Sequence, residues 1–346
     1  RTEKARHSAV DGRGGALIAV YLAVVLLLLL LLVAAFAVYA FRVAFYSSPS
    51  AHRMDPKALP PTPEYDPLRG KMSDLVDAMT AVPAEVLTVT SYDGLRLYAK
   101  YYHVKDGAPV LLFFHGYRSG AVHDGCGGFA MAMAAGMNCL AVDQRAHGDS
   151  EGRVISFGVR ERYDCQTWAK FAAERFGAAT PLFLTGISMG AATVLMASDL
   201  ELPDSVCGIV ADCPYSSPRA ILCKVMRDRH LPPCLAYRFL RLSARVLGHF
   251  DPDAASALTS VRHTRLPVLL IHGESDDFVP CAMSEQIRDA CASPVQLVTF
   301  PGAKHGMSYF LDPDRYTRIR SEFLTSHLPG ASLPLSDCES ASPDGE

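Results

Sequence analysis

Between Pro181 and Thr193 the chain reads P-L-F-L-T-G-I-S-M-G-A-A-T, and this stretch limits the possible folds more than any other. A short apolar run of strand character meets Gly186, Ser188 and Gly190, and helix-forming residues come directly after. A serine on so tight a strand-to-helix turn is pushed into the open, where a base and a substrate can reach it. The two glycines leave room for the turn and for close packing of helix on strand, which a Cβ would obstruct. A helix N-terminus directly behind the serine favours developing negative charge there. An ordinary Gly/Ser turn would carry the same five letters, so its partners elsewhere in the chain decide between the two.

The N-terminal region has a different character. Gly14 to Phe41 contains no charged side chain, and it includes the unbroken run Leu26 to Leu32. One helix across a hydrocarbon core needs about 20 apolar residues, so this span predicts a retained membrane anchor. A signal-peptide core is shorter, about 7–15 residues, although Ala35-Phe36-Ala37 resembles a cleavage site. Arg1, Lys4, Arg6 and Arg13 precede the span; Arg42, Arg53 and Lys57 come after it. That bias, a margin of one, places the N-terminus inside and the remainder extracytoplasmic. The expected organisation is a basic flank (1–15), a transmembrane anchor (16–41), a Pro-rich linker (42–70), a folded domain (71–330) with a cap region (215–265), and a polar, disordered tail (331–346). The linker carries Pro49, Pro56, Pro60, Pro61, Pro63 and Pro67 and is expected to space the domain from the membrane.

From Val86 onward two β-rich runs, Val86 to Thr90 and Leu95 to Tyr102, flank the turn signal Ser91-Tyr92-Asp93-Gly94. Six short apolar runs come next, at 110–114, 138–142, 182–185, 206–211, 268–271 and 295–300, most of them separated by helical stretches. Continuous rather than alternating apolar runs predict strands buried on both faces, as in a parallel sheet. The fold class is therefore α/β: a mostly parallel eight-stranded sheet with flanking helices, two of its strands an antiparallel opening. A net charge of −3 points to no nucleic-acid partner. The ten cysteines include no Cys-x-x-Cys pair and no Cys/His cluster at zinc spacing, so no metal site is expected from them.

Three further segments complete a reactive constellation. His115-Gly116-Tyr117-Arg118 comes after the third strand, where the backbone N–H of Tyr117, with that of Met189, would form a two-donor oxyanion hole. H-G-E-S-D-D-F-V-P lies after the seventh strand and P-G-A-K-H-G after the eighth. Serine, acid, histidine is the chain order such a sheet requires, which selects Ser188, Asp276 and His305. Serine is a poor nucleophile until His305 takes its proton, and a carboxylate must fix the imidazole tautomer. Asp277 and Asp212 compete for the acid's role; Glu274 stands closer to the strand end.

These motifs, with D-Q-R-A-H-G-D-S-E-G at 143–152, resemble the α/β-hydrolases, in particular the bacterial membrane-anchored serine aminopeptidase-like or Bem46-like hydrolases, over about Val86 to Leu328. The resemblance implies hydrolysis of an ester, thioester or amide through an acyl-enzyme without cofactor, Asp276 as the acid, and no catalytic role for His147. The expected activity is an esterase or lipase-like hydrolysis of a small-molecule or lipid-like acyl substrate. A serine aminopeptidase-like peptidase and a catalytically silent binding protein are the alternatives. Within the cap region, Leu235 to Leu247 predicts an amphipathic helix. Leu235, Phe239, Leu242 and Val246 share one stripe, and Arg238, Arg241 and Arg245 lie along its edge. Either the apolar stripe packs on the domain while the arginines face water, or the helix is a mobile cap that admits acyl chains, with its arginines near anionic substrate groups or lipid headgroups.

Overall fold

The computed structural model describes residues 2–48, 55–59 and 63–330. Helix α1 (Thr2–Ala44) contains an apolar stretch, Val20–Ala44, of mean hydropathy 3.1, long and apolar enough to cross a membrane. A 3₁₀ helix (Pro63–Leu68) leads into α2 (Arg69–Ala81), near the helical lead-in expected around Met72 to Thr80. Arg1, Pro49, Arg53, Pro60, Pro61 and the 331–346 tail lie outside the described residues.

The sheet is eight-stranded: β1 (Glu85–Thr90), β2 (Arg96–Tyr102), β3 (Val110–Phe114), β4 (Asn138–Asp143), β5 (Leu182–Ile187), β6 (Val206–Asp212), β7 (Val268–Gly273) and β8 (Val295–Phe300), in the order β1-β2-β4-β3-β5-β6-β7-β8. The β1–β2 and β2–β4 pairs are antiparallel and all others parallel. The first turn closes through Ser91, whose hydroxyl accepts from the Leu95 N–H at 2.8 Å. Every residue of β3 and β7 is buried, as their apolar runs require, whereas the edge strands β1 and β8 are half open.

Two apolar layers clamp this sheet. One joins α2, α3 (Ala121–Ala134) and α11 (Pro313–Ser326) through Met72, Val76, Met79, Phe129 and Phe323. The other joins α4 (Glu161–Phe176), α5 (Met189–Ala197) and α9 (Ala282–Ala290) through Trp168, Val194 and Ile287. Parallel pairing aligns the C-terminal ends of the central strands: Phe114 faces Gly186, Ile187 faces Asp212, and Asp212 faces Ile271. The loops carrying the predicted site residues therefore converge at one edge.

The anchor meets the domain differently from expectation. Phe41 and Phe45, one turn apart at the end of α1, are buried in the second layer, Phe45 edge-on to Phe157 and Phe250. Ile155 N–H donates to the Phe45 carbonyl at 2.8 Å, and Ser47 N–H to that of Arg153 at 2.9 Å. Burying each phenyl ring is worth about 1.5–3 kcal/mol, which favours docking over a free tether. Packing against the domain thus begins within the last turns of the apolar stretch, ahead of the Pro-rich segment.

Between β6 and β7 a helical insert, α6 (Pro218–Asp228), α7 (Pro233–Leu247) and α8 (Ala257–Ser260), forms a small cap region. The buried residues of α7 are Tyr237, Leu240, Ser243 and Ala244. The predicted stripe faces outward instead: Leu235 is 56% exposed, Leu242 57% and Val246 61%. Arg241 forms two bonds to Asp251, at 2.7 and 2.8 Å, and Arg245 bonds the same carboxylate. Neither expectation for this helix describes its packing, because its inner face is the one centred on Tyr237 and Leu240.

Candidate active site

Strand β5 ends beside Ser188, whose backbone (φ 54°, ψ −114°) lies in a region that non-glycine residues avoid. Its N–H donates to the Asp212 carbonyl at 2.8 Å, and α5 starts at the next residue. The flanking glycines are forced by close approach. A Cβ on Gly186 would sit 2.4 Å from the Gly190 carbonyl carbon, and one on Gly190 only 1.9 Å from the Phe114 oxygen.

His305 Nε2 stands 3.0 Å from Ser188 Oγ, and its Nδ1 stands 2.6 Å from Asp276 Oδ2. With the proton on Nδ1 donated to Asp276, the Nε2 lone pair faces the serine hydroxyl. Asp276 is buried, and its Oδ1 accepts from the N–H groups of Phe278 (3.0 Å) and Val279 (2.8 Å). Burial works to raise the Asp276 pKa, but the hydrogen bonds of His272, His305 and Val279 outweigh it and hold the carboxyl well below the usual range. The other acids go elsewhere. Asp277 is exposed, with Lys304 Nζ at 3.9 Å; Glu274 accepts from Thr299; buried Asp212 accepts from the Tyr316 hydroxyl at 2.8 Å.

The loop after β3 lies directly over the serine, since a Cβ on Gly116 would be 3.4 Å from that of Ser188. Tyr117 lines the same cavity as Ser188, and Met189, as the first residue of α5, has an N–H without an intrahelical acceptor. Asp124 holds the loop by accepting from Gly116 N–H at 2.6 Å and Ser119 Oγ at 2.7 Å. His147 Nε2 accepts from Arg118 N–H at 3.0 Å. The loop is also tied to the anchor: the Tyr117 hydroxyl donates to the Ala44 carbonyl (2.9 Å) and the Arg118 guanidinium to those of Val43 (2.8 Å) and Tyr46 (3.1 Å).

Sequence reasoning did not single out Asp124 or His272 as supports, and it left His147 as part of a structural loop. His272 Nε2 lies 2.8 Å from the Val279 carbonyl and 3.4 Å from Asp276 Oδ2, bracing the acid. Its place in H-G-E-S-D-D, beside the acid, is the one signal that pointed to it. Deeper in the 143–152 loop, buried Arg145 pairs with Asp164 (2.6 and 2.7 Å) and Asp93 (2.9 and 3.1 Å), fixing the loop to the first hairpin.

A cavity of about 540 Å³ opens at Ser188 and His305. Its apolar wall includes Leu59, Leu68, Met72, Met131, Met307 and Phe310. None of its lining residues comes from 215–265; the wall is built instead by 58–72, α3 and the segment after β8. Among the described residues, one group has metal-ligand chemistry: Cys213, Asp276 and His305, whose ligand atoms lie within 4.8 Å of one another. Asp276 and His305 are already bonded to each other, and burial first, then the carboxylates of Asp212 and Asp276, push the Cys213 thiol well up. That donor set suits a proton relay over a neutral thiol better than a cation site.

Sheet order and the strand-serine-helix turn are those of the α/β-hydrolase fold. Within it, residues 107–256 match the family model described as serine aminopeptidase, S33. The uncharacterized protein YqkD of Bacillus subtilis is 26% identical over 190 residues, 55% of this chain; the match spans 62% of that relative's length, under two thirds of it. The Danio rerio lysophosphatidylserine lipase ABHD12 is 25% identical over 247 residues, 64% of this chain and 59% of its own. Among solved structures, the Pyrococcus furiosus esterase Pf2001 superposes with a TM-score of 0.60 at 22% identity, covering 74% of this chain and 94% of the esterase.

Proposed function

We propose that this chain is a membrane-anchored serine hydrolase that cleaves carboxylic esters of lipid-like acyl substrates through an acyl-enzyme on Ser188. The observation that carries the proposal is the aligned relay Asp276–His305–Ser188, at 2.6 and 3.0 Å, opening on a largely apolar cavity. Ser188 Oγ attacks the ester carbonyl while His305 Nε2 takes its proton, and the N–H groups of Tyr117 and Met189 hold the oxyanion. The alcohol departs with the proton returned by His305. Water, deprotonated by the same nitrogen, then releases the acid and restores the serine.

Ester cleavage is favoured over aminopeptidase action by the carboxylates at the cavity. A substrate ammonium needs a free anion, yet both oxygens of Asp124 accept from Gly116 and Ser119. Asp212 Oδ2 accepts from Tyr316, and burial raises its pKa to about 6, which weakens it as a partner for a cation. Its Oδ1 has no hydrogen-bond partner among the described residues and is the cavity atom that an aminopeptidase substrate would have to use. The names of the Danio rerio lipase and the Pyrococcus esterase point the same way.

The test is turnover of a graded series of p-nitrophenyl esters beside aminoacyl and peptidyl p-nitroanilides, with the full chain in detergent. Esters of medium acyl length should be preferred, with fluorophosphonate labelling that disappears in Ser188→Ala. Preference for aminoacyl anilides would replace the esterase by a peptidase. Absence of labelling in the wild-type chain would make it a silent binding protein.

A further inference from the structure

The outer face of α7 is apolar along its whole length, and its position in the fold indicates what covers it. Leu235, Phe239, Leu242 and Val246 form one row, extended by Leu231 and Leu247 at its ends, and every one of them is exposed. Contiguous apolar surface of this kind marks an interaction site rather than an ordinary solvated helix. Helix α7 packs beside the C-terminal part of α1. There α1 loses exposure at Ala37, Ala40, Phe41 and Ala44, one helical face at i, i+3, i+4 and i+7, and a Cβ on Gly248 would touch the Phe41 ring. All four residues belong to the apolar span Val20–Ala44 itself. At 1.5 Å per residue they cover about 10 Å of helix axis. Helix α7 therefore lies alongside the last two turns of the apolar stretch.

We propose that α7 is an interfacial membrane helix whose row of apolar side chains sits in the surface of the bilayer that α1 crosses. Helices of this type bury their apolar face about 5–10 Å into the boundary between headgroups and acyl chains, comparable to the stretch of α1 that packs beside α7. The charges along the row are arranged for that boundary. Arg241 and Arg245 are paired with Asp251, Arg241 also with Asp253, while Arg238 and Arg42 stay exposed, with stems long enough to reach lipid phosphates. Two contacts, α1 through the membrane and α7 along it, fix the domain's orientation. They hold the cavity rim at Tyr117 and Arg118, bonded to the last turn of α1, close to the headgroup layer.

The test uses the full chain in bilayers at low protein density, with Leu242→Trp as a depth probe and Val86→Trp as the control. Leu242 and Val86 are both exposed, so neither change disturbs packing, and the native Trp168 is fully buried. Val86 pairs with Lys100 on the edge strand β1, outside the segments that bond α1. Leu242→Trp should lose most of its added emission to lipids brominated at shallow acyl positions and little to aqueous acrylamide; Val86→Trp should do the reverse. Quenching of Leu242→Trp by acrylamide alone would put the face in water and overturn the proposal. Protection from both quenchers would overturn it too, by showing that protein, such as a second copy, covers the row.

Discussion

At Gly190 no side chain is tolerated, because even a methyl group would lie 1.9 Å from the Phe114 carbonyl oxygen and 2.7 Å from that of His115. Gly190→Ala must push α5 away from β3, so the expected result is loss of folded protein, measured as yield and melting temperature, before any effect on chemistry. Around the serine, Ser188→Ala and His305→Ala should each remove nearly all ester turnover, since such groups act as a unit. Asp276→Asn should cost on the order of 10⁴ in kcat by presenting the wrong partner to His305 Nδ1. Asp277→Asn should stay near wild type, because Asp277 is exposed and turned to Lys304. A dead Asp277→Asn beside an active Asp276→Asn would reverse the assignment of the acid. Asp212 gives a pH signature. Burial raises its pKa from 3.8 to about 6 despite Tyr316, His272 and His305, so the folded state holds the proton more tightly than the unfolded chain. Stability from this group is complete below the unfolded value and is lost as pH rises through about 6, to a total of about 3 kcal/mol. Asp212→Asn should flatten the fall in melting temperature between about pH 4 and pH 7. An unchanged slope would mean that the proton sits elsewhere.

At the level of single elements, the end of α1 behaves as part of the domain. Phe45 is fully buried among Phe41, Phe157 and Phe250, so Phe45→Ala should destabilise the fold by about 3–5 kcal/mol. Chemical denaturation of the full chain in detergent would measure it, and a loss under about 1 kcal/mol would contradict the packing described. Sequence patterning located this helix but not its docking, because Phe41 and Phe45 are as apolar as the lipid-facing residues around them. Helix α7 shows the same limit. Its 3.6-residue period was legible to within two residues at its start, yet periodicity alone does not say which side is inside. Tyr237 and Leu240 face the protein, and the more uniform row of Leu235, Phe239, Leu242 and Val246 faces out. Strands were easier. The runs of β3 and β8 match their predicted limits; for β3 the reason is that a strand buried in a parallel sheet has little besides apolar residues to offer. The supports Asp124 and His147 were not legible: His147 acts on a loop 29 residues away, and Asp124, though close in sequence to Gly116, has no local pattern that marks its contact.

For the whole molecule, the remaining question is which side of the membrane the domain occupies. The charge flank of α1 favours an extracytoplasmic domain, by a single residue. Nine free cysteines among the described residues would ordinarily suggest a reducing compartment. Their chemistry removes most of that objection. Oxidation requires thiolate, and burial pushes the Cys126 and Cys139 thiols up to about 12, raises Cys165 and Cys213 further, and pushes Cys281 up to about 11. Cysteines kept neutral in this way persist unpaired outside the cytoplasm as well as within it. The export orientation is therefore the one we propose, and a membrane-impermeant maleimide checks it. Val86→Cys places a thiol at an exposed position on the edge strand β1. In intact cells this variant should take up the label above the level of the parent chain, which reports any contribution from exposed Cys234. Labelling of Val86→Cys only after lysis would place the domain, and the esters it acts on, on the cytoplasmic face.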